Sequence, residues 1–475
     1  MADLLHETNE ISLPHSLSHH ADTARDWLQR AGHLLDTHYI EEAQLALRRA
    51  DALATDDASL YRALTIGYQV AGLPDEAACA EMAALAYEQH SALMLYNLAT
   101  SYLMTQRPMP AERWYRAALR LAPEMIAAHQ NLASIMERDG RREEAAYHRD
   151  KAYRQQSIFI DSSENAKRTV LILCASATGN VPFDFLFPSA ATNRIKWVMD
   201  YACEEQIAHL PAYDIVFNAI GDQDVTGRSS NMVERFLSQC RKPVLNPPQR
   251  IVRTARDGIP ALLADIDRVV VPDMIRLHHS VDVMPLASKF PGKDIAFPVL
   301  VRPAGSHGGD GLRLFDTKLA LDAVDFPAGE YYACHYYDYR STDGYYRKYR
   351  VIFIDRQPYP YHLAISENWL VHYVSADMLA HQWKRDEELR YLSAPDMVLG
   401  QAVMQALQEI GKRLDLDFCG IDFSVLPDGQ LLVFEANATM LVHPEDYHPV
   451  LHYKNVHVQD ILGAFDRRVE NLIVN

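Results

Sequence analysis

Near the C-terminus, two apolar-rich stretches, residues 419–426 and 430–436, flank Pro427-Asp428-Gly429. Asp-Gly between such stretches is a strong hairpin signal. A two-residue turn at Asp428 and Gly429 would set Asp422 opposite Glu435. Asn437, two residues further on, would share that face because strand side chains alternate. Two carboxylates and an amide oxygen would then converge within ~5–8 Å, with Phe423 and Phe434 on the opposite, core-facing side. Buried carboxylates this close repel unless a cation joins them. An all-oxygen donor set suits a hard ion, and Mg²⁺ is the natural choice beside a triphosphate.

A phosphate cradle lies upstream. Residues 297–302 read as a strand and run into Gly305-Ser306-His307-Gly308-Gly309-Asp310-Gly311, with a second strand at 312–315. Glycines let backbone N–H groups close on a polyphosphate without Cβ obstruction. No helix pattern and no Gly-Lys-Ser/Thr follow, which excludes the dinucleotide fingerprint and the P-loop. A glycine-rich hairpin lid remains. Residues 340–350 are rich in Arg, Lys and Tyr and lead into a strand at 351–354. Alternation puts Lys348 and Arg350 on one face and Arg347 on the other, and His362 follows on the return strand.

The order Arg302, glycine loop, Asp422, then Glu435-x-Asn437 resembles the ATP-grasp superfamily, which includes D-alanine–D-alanine ligase, glutathione synthetase and related carboxylate–amine ligases. The resemblance covers about residues 168–475. It implies ATP as cosubstrate and two Mg²⁺ ions, with Mn²⁺ as a substitute, on Asp422, Glu435 and Asn437, Glu435 bridging. It assigns the α- and β-phosphates to Arg302, where the family more often has lysine, and a second phosphate contact to Arg256. Gly305, Ser306, Gly308, Gly309 and Gly311 would cover the phosphates. The adenine hinge would be Tyr332-Ala333-Cys334-His335, contacted through Ala333 and His335, with Asp338 on the ribose hydroxyls. Arg350, assisted by Lys348, would reach the γ-phosphate or the acyl phosphate. The implied activity is ATP-dependent activation of a carboxylate as an acyl phosphate and its joining to an amine. After Asn437 the chain departs from the family's Pro-Gly-type loop and reads Ala438-Thr439-Met440-Leu441. His443, His448, His452 and His457 are read as substrate-loop residues, since their spacing fits no standard zinc pair.

Other elements must position these groups. Residues 169–174 and 213–220 read as buried strands and 231–240 as a helix. That is an open α/β layout, where ligands collect beyond the carboxyl ends of strands. Asn180, Asn218 and Asp222 are candidates for the crevice. The expected organisation is a linker at 160–168, an α/β subdomain at 169–255, and ATP-grasp central and C-terminal subdomains at 256–475.

The first third repeats every 34 residues. Ala43, Ala77, Ala111 and Ala145 form one series; Ala50, Ala84, Ala118 and Ala152 form another, seven residues on. Leu64, Leu98 and Leu132 form a third. Alanines seven apart share one helix face and let a partner helix approach closely. The pattern resembles the tetratricopeptide repeat (TPR), with repeats at 24–57, 58–91, 92–125 and 126–159 after a mobile leader at 1–23. The resemblance implies an all-α solenoid that recruits a peptide, protein or substrate. The expected fold class is therefore an all-α TPR helical solenoid followed by an α/β and α+β ATP-grasp fold. A rival reading makes the repeats a scaffold and the nucleotide domain a switch.

Composition bounds the rest. The 475 residues carry 46 basic and 63 acidic side chains, a net charge of -17, with no basic arm. That argues against a primary nucleic-acid binder, since phosphate neutralisation supplies most non-specific affinity. The six scattered cysteines form no C-x-x-C pair, and no apolar run approaches the ~20 residues that span a bilayer. A cytoplasmic protein without membrane partners is expected.

Overall fold

The computed structural model describes residues 23–222, 230–280, 296–306, 308–446 and 448–474. Residues 1–22 of the expected leader and His307 of the glycine loop lie outside the described residues. The chain divides into two units, Met1–Gln155 and Gln156–Asn475.

The first unit holds eight consecutive helices: α1 Ala24–Asp36, α2 Ile40–Leu53, α3 Ala58–Val70, α4 Pro74–Glu88, α5 Ala92–Met104, α6 Pro108–Leu121, α7 Ile126–Arg138 and α8 Arg142–Tyr153. Their starting points recur at the spacing read from the sequence. Both alanine series lie on the even-numbered helices and are at most 3% exposed, so the small-residue stripe is where neighbouring helices meet. The turn inside each pair passes through left-handed backbone at His38, Gly72, Gln106 and Gly140, again at that spacing. Only the two glycines adopt it without the Cβ penalty. Thr23, Asp57 and Ser91 cap α1, α3 and α5 by accepting first-turn N–H groups, which satisfies donors a helix start leaves open.

The second unit is built on three sheets. The first contains β1 Ile158–Asp161, β2 Arg168–Cys174, β3 Thr192–Val198, β4 Ile215–Asn218 and β5 Val244–Leu245, in the order β1-β3-β2-β4-β5. All pairs are parallel except β1 with β3. The sequence reading puts residues 158–161 across the end of the fourth repeat and a linker; they form the edge strand of this sheet. Asp161 explains the attachment, accepting from Arg194 at 2.7 Å with Lys196 at 3.2 Å.

The third sheet receives β6 Val269–Val270, and the second comprises β7 Met274–His279, β8 Val299–Pro303, β9 Arg313–Phe315 and β10 Gly329–His335, ordered β7-β10-β8-β9. The third sheet adds β11 Tyr346–Ile354, β12 Gln357–Ser366, β13 Phe418–Val425 and β14 Leu431–Asn437, ordered β12-β11-β13-β14-β6. Helices Gln382–Ser393, through Tyr391, and Gln401–Leu414 close one face of it over Tyr349, Phe353 and Phe423. On the other face, at the far end of the strands, Phe465 of helix Asn455–Val474 meets Phe187 and Phe217 of the first subdomain and Phe418 of β13. Asn246 fastens the same junction: its side chain donates to Phe418 O at 2.7 Å and accepts from the N–H groups of Asp417 and Phe418 at 3.0 Å.

Candidate active site

The hairpin that carries the acidic groups reaches its pairing by a route the sequence does not suggest. A three-residue loop joins β13 to β14: Leu426 N–H donates to Gln430 O, and Gly429 N–H to Leu426 O, each at 2.8 Å. Gly429 sits at φ +81°. This turn pairs Phe423 with Val433, one residue away from the register of a two-residue turn. A bulge between Asp422 and Phe423 then restores it, so Asp422 faces Glu435 and Gly420 faces Asn437. A bulge sets two residues of one strand against one of the other. Phe434 and Glu435 therefore both line the cavity. Phe423 is fully buried, whereas Phe434 packs on the core beside Tyr339 and also lines the cavity.

The charged groups fall in one row across four strands. His362, Arg350, Asp422 and Glu435 are successive cross-strand partners on β12, β11, β13 and β14. Arg350 grips Asp422 with two bonds, Nε to Oδ1 at 2.6 Å and Nη2 to Oδ2 at 2.8 Å. Lys348 Nζ stands 3.3 Å from the same Oδ2. Burial pushes the Asp422 carboxyl up, yet the Arg350 and Lys348 charges outweigh it and hold the group far below the usual carboxylate range. Burial acts likewise on Glu435, where Arg256 and then Arg302 overcome it and the repulsion of Asp422. Both acids are ionised. His362 is kept neutral by burial and by the neighbouring Arg350 and Lys454 charges. Arg347 faces the other side and pairs with Asp343 and Glu387 at 2.7 and 2.5 Å.

Opposite the row stands the second sheet. Arg302, on β8, donates to Ser306 Oγ from Nε at 3.2 Å and also to its carbonyl oxygen. Arg256 Nη2 reaches Glu435 Oε2 at 3.0 Å, and Arg302 Nη1 lies 3.9 Å from the same oxygen. Gly308 and Gly309 overlie the cavity beside His372 and Leu370; a Cβ on Gly309 would sit 3.3 Å from Leu370 Cδ1.

These groups surround a cavity of about 430 Å³. Of the residues singled out in the sequence, Arg256, Arg302, Gly308, Gly309, His335, Lys348, Arg350, Asp422, Glu435 and Asn437 line it, together with Asn180. Gly305, Ser306, Gly311, Ala333 and Asp338 are not among the lining residues. Ala333 is in the middle of β10, in register with Val301 on one neighbouring strand and Ile275 on the other, so it is interior to the sheet. The strand ends at His335, and the wall continues as Tyr336 and Tyr337. Asp338 accepts from Arg340 N–H at 3.1 Å. Asn218 donates to Asn246 O at 2.9 Å and serves the fold, and Asp222 lines a small neighbouring cavity with Arg256 and Asn437. None of His443, His448, His452 and His457 lines the main cavity. Sequence reasoning missed the wall from Trp369 to His372, which carries no motif, while Thr439, Met440 and Leu441, noted there only as a departure from the family's loop, also line the cavity.

The donors suit a hard divalent ion. Among the described residues no group of three or more His, Cys, Asp and Glu could hold a metal, so a cation here relies on two carboxylates and an amide oxygen. Arg350 and Lys348 face the two oxygens of Asp422, and Arg256 and Arg302 face Glu435 Oε2. Asn437 Oδ1 accepts from Thr439 N and Thr439 Oγ1, both at 2.7 Å.

No protein-family model matches the chain, and no curated protein matches it. Among solved structures, it is similar to the ATP-grasp ligase PsnB complexed with a phosphomimetic variant of minimal precursor, Mg and ADP, at 13% identity over 64% of this chain and 100% of that one, TM-score 0.37. It is also similar to the VanG D-Ala:D-Ser ligase from Enterococcus faecalis, at 13% identity over 63% and 99%, TM-score 0.38. A RimK domain protein ATP-grasp from Sphaerobacter thermophilus is 13% identical over 62% and 98%, TM-score 0.38.

Proposed function

We propose that the second unit is an ATP-dependent ligase of the ATP-grasp kind, which activates a carboxylate as an acyl phosphate and joins it to an amine. The observation that carries this reading is the row Arg350–Asp422–Glu435 facing Arg302 and Arg256 across one cavity. Cations for a polyphosphate and oxygens for its counter-ion meet there. Arg302, Arg256 and the N–H groups at Gly308 and Gly309 bind the phosphates, and the base lies between Met274, Leu432 and Phe434 near the end of β10. Arg350 and Lys348 meet the transferring γ-phosphoryl and stabilise its charge in flight. Asp422, Glu435 and Asn437 hold Mg²⁺, which when bound offsets charge on the phosphoryl oxygens; two ions, or Mn²⁺ in their place, belong to this reading.

A substrate carboxylate oxygen attacks the γ-phosphorus and ADP leaves. The Gly308–Gly309 lid, closed on Leu370, keeps water from the acyl phosphate. An amine then attacks the acyl carbon, the amide forms, and phosphate and a proton leave. No side-chain nucleophile is required. The first unit, read as a tetratricopeptide solenoid, offers a surface for a peptide or protein substrate or partner. The test is ADP release by the full chain with ATP and Mg²⁺ against fractionated metabolites, with mass spectrometry of the products. Turnover that needs both a carboxylate and an amine is expected; tight nucleotide binding with no turnover on any fraction would leave a nucleotide-regulated scaffold instead.

A further inference from the structure

Of the oxygens assigned to the divalent ion, those of Asp422 and Oε2 of Glu435 are held by the cations assigned to the phosphates, and Asn437 Oδ1 is held by Thr439. The Arg350 fork covers both oxygens of Asp422, with Lys348 beside it. Asp422 is only 3% exposed, and a bidentate guanidinium–carboxylate pair is among the stronger contacts a protein makes. Glu435 Oε2 is held by Arg256, with Arg302 behind. Thr439 N–H and Oγ1–H fill both lone pairs of Asn437 Oδ1.

Charge adds to this occupancy. Among the described residues, the charged side chains lining the cavity are Arg256, Arg302, Lys348 and Arg350 against Asp422 and Glu435, a surplus of two positive charges. A lone divalent ion would raise that surplus and strip the half-buried Arg350 guanidinium of the carboxylate it grips, leaving an uncompensated charge. A polyphosphate reverses both terms, because it lowers the surplus and gives the arginines new oxygens to bind.

We propose that this is a polyphosphate-gated divalent-cation site, in which Arg350 and Arg256 exchange carboxylate for phosphate and so release Asp422 and Glu435 to the metal. The Thr439 hydroxyl is the third gate and frees one lone pair of Asn437 as it turns away. The inference rests on the proposed nucleotide function of the same cavity. Binding linkage is reciprocal, so the metal must tighten polyphosphate binding by the same factor.

The test uses the full chain and Mn²⁺ as a paramagnetic probe, titrated by electron spin resonance with and without a non-hydrolysable ATP analogue. Association of Mn²⁺ with the free analogue is measured separately and subtracted. Mn²⁺ should bind the analogue-loaded chain at least about tenfold more tightly than the free chain, within the usual range of coupling between sites. Thr439→Val, which keeps the shape and removes the hydroxyl, and Arg350→Met should each tighten analogue-free Mn²⁺ binding several-fold. Equal Mn²⁺ affinity with and without the analogue overturns the gate, as do folded variants with unchanged analogue-free affinity. Should Arg350→Met not fold, wild-type coupling and Thr439→Val decide. An analogue that does not bind even with Mn²⁺ present defeats the nucleotide reading and the gate together. Turnover with a coupling factor near one defeats the gate alone.

Discussion

Asp422 is the residue on which the chemistry and the stability of the site both depend. Arg350 and Lys348 sit on it within a buried row, so removing its charge leaves two cations facing each other. Asp422→Asn should lower turnover by about 100-fold or more, as loss of one preorganised electrostatic partner commonly does. It should also destabilise the second unit by about 2–4 kcal/mol in urea unfolding, the lower part of the range for a broken buried pair because Arg350 is partly exposed. The pH dependence has a definite sign. The folded carboxyl is held below its unfolded value, so its contribution is fully present above about pH 4 and is lost as pH falls through the folded pKa. The difference between wild type and Asp422→Asn should stay constant from pH 5 to 8 and shrink only in stronger acid. A difference that fades already near pH 6 would mean that Asp422 is not ionised by its neighbours.

Elements decide how much of this was readable in advance. The Asp422–Glu435 pairing was legible because Asp-Gly marks a hairpin and alternation does the rest. The turn length and the bulge were not, because they cancel: each shifts the ladder by one residue, and the sequence records only their sum. Gly429→Ala tests the turn. With φ at +81°, a side chain there should cost about 1 kcal/mol in urea unfolding. The course of β10 was hidden for a different reason. Residues 331–337 are uniformly apolar or aromatic, and only neighbouring strands show that Ala333 is interior and that the ladder runs on to Tyr336, whose N–H donates to Pro298 O at 2.9 Å. The wall from Trp369 to His372 was illegible, since nothing in its residue types distinguishes it from packing. In the first unit the 34-residue period gave away the starts of α1, α3, α5 and α7, but not the contact between α7 and α8. There His129 Nδ1 meets His148 Nδ1 at 2.6 Å, while His129 Nε2 bonds Pro123 O at 2.9 Å. Burial, then the neighbouring His129, pushes the His148 pKa down to about 4. An unfolded histidine titrates near ~6.5, so the unfolded chain gains protons first and the helix pair loses stability as pH falls from about 6.5 to 4. The loss should be on the order of 2 kcal/mol, seen as faster amide exchange in α7 and α8, and His148→Gln should flatten it.

At the scale of the whole molecule, a chain of net charge -17 carries a cavity whose described lining has a positive surplus, a local charge that bulk composition does not show. Where the two units divide is open to direct test. The sequence set the boundary around residues 160–168, whereas the compact units divide after Gln155 and β1 pairs with β3 over Ile158–Asp161. The difference matters energetically. A chain beginning at Gln156 keeps Asp161 against Arg194 and Lys196 and keeps β3 covered. It should unfold in urea at the midpoint of the second unit in the full chain and, on the proposed function, retain ADP release with small substrates. A chain beginning at Arg168 exposes β3 as a new edge, an aggregation liability. It also leaves the largely buried Arg194 with only Asp184, at 2.7 Å and mostly in solvent. That loss should cost about 2–3 kcal/mol, below the full penalty for a stranded buried charge because one partner remains. Equal urea midpoints for the two truncated chains would show that β1 adds nothing to the sheet, and would return the boundary to the linker read from the sequence.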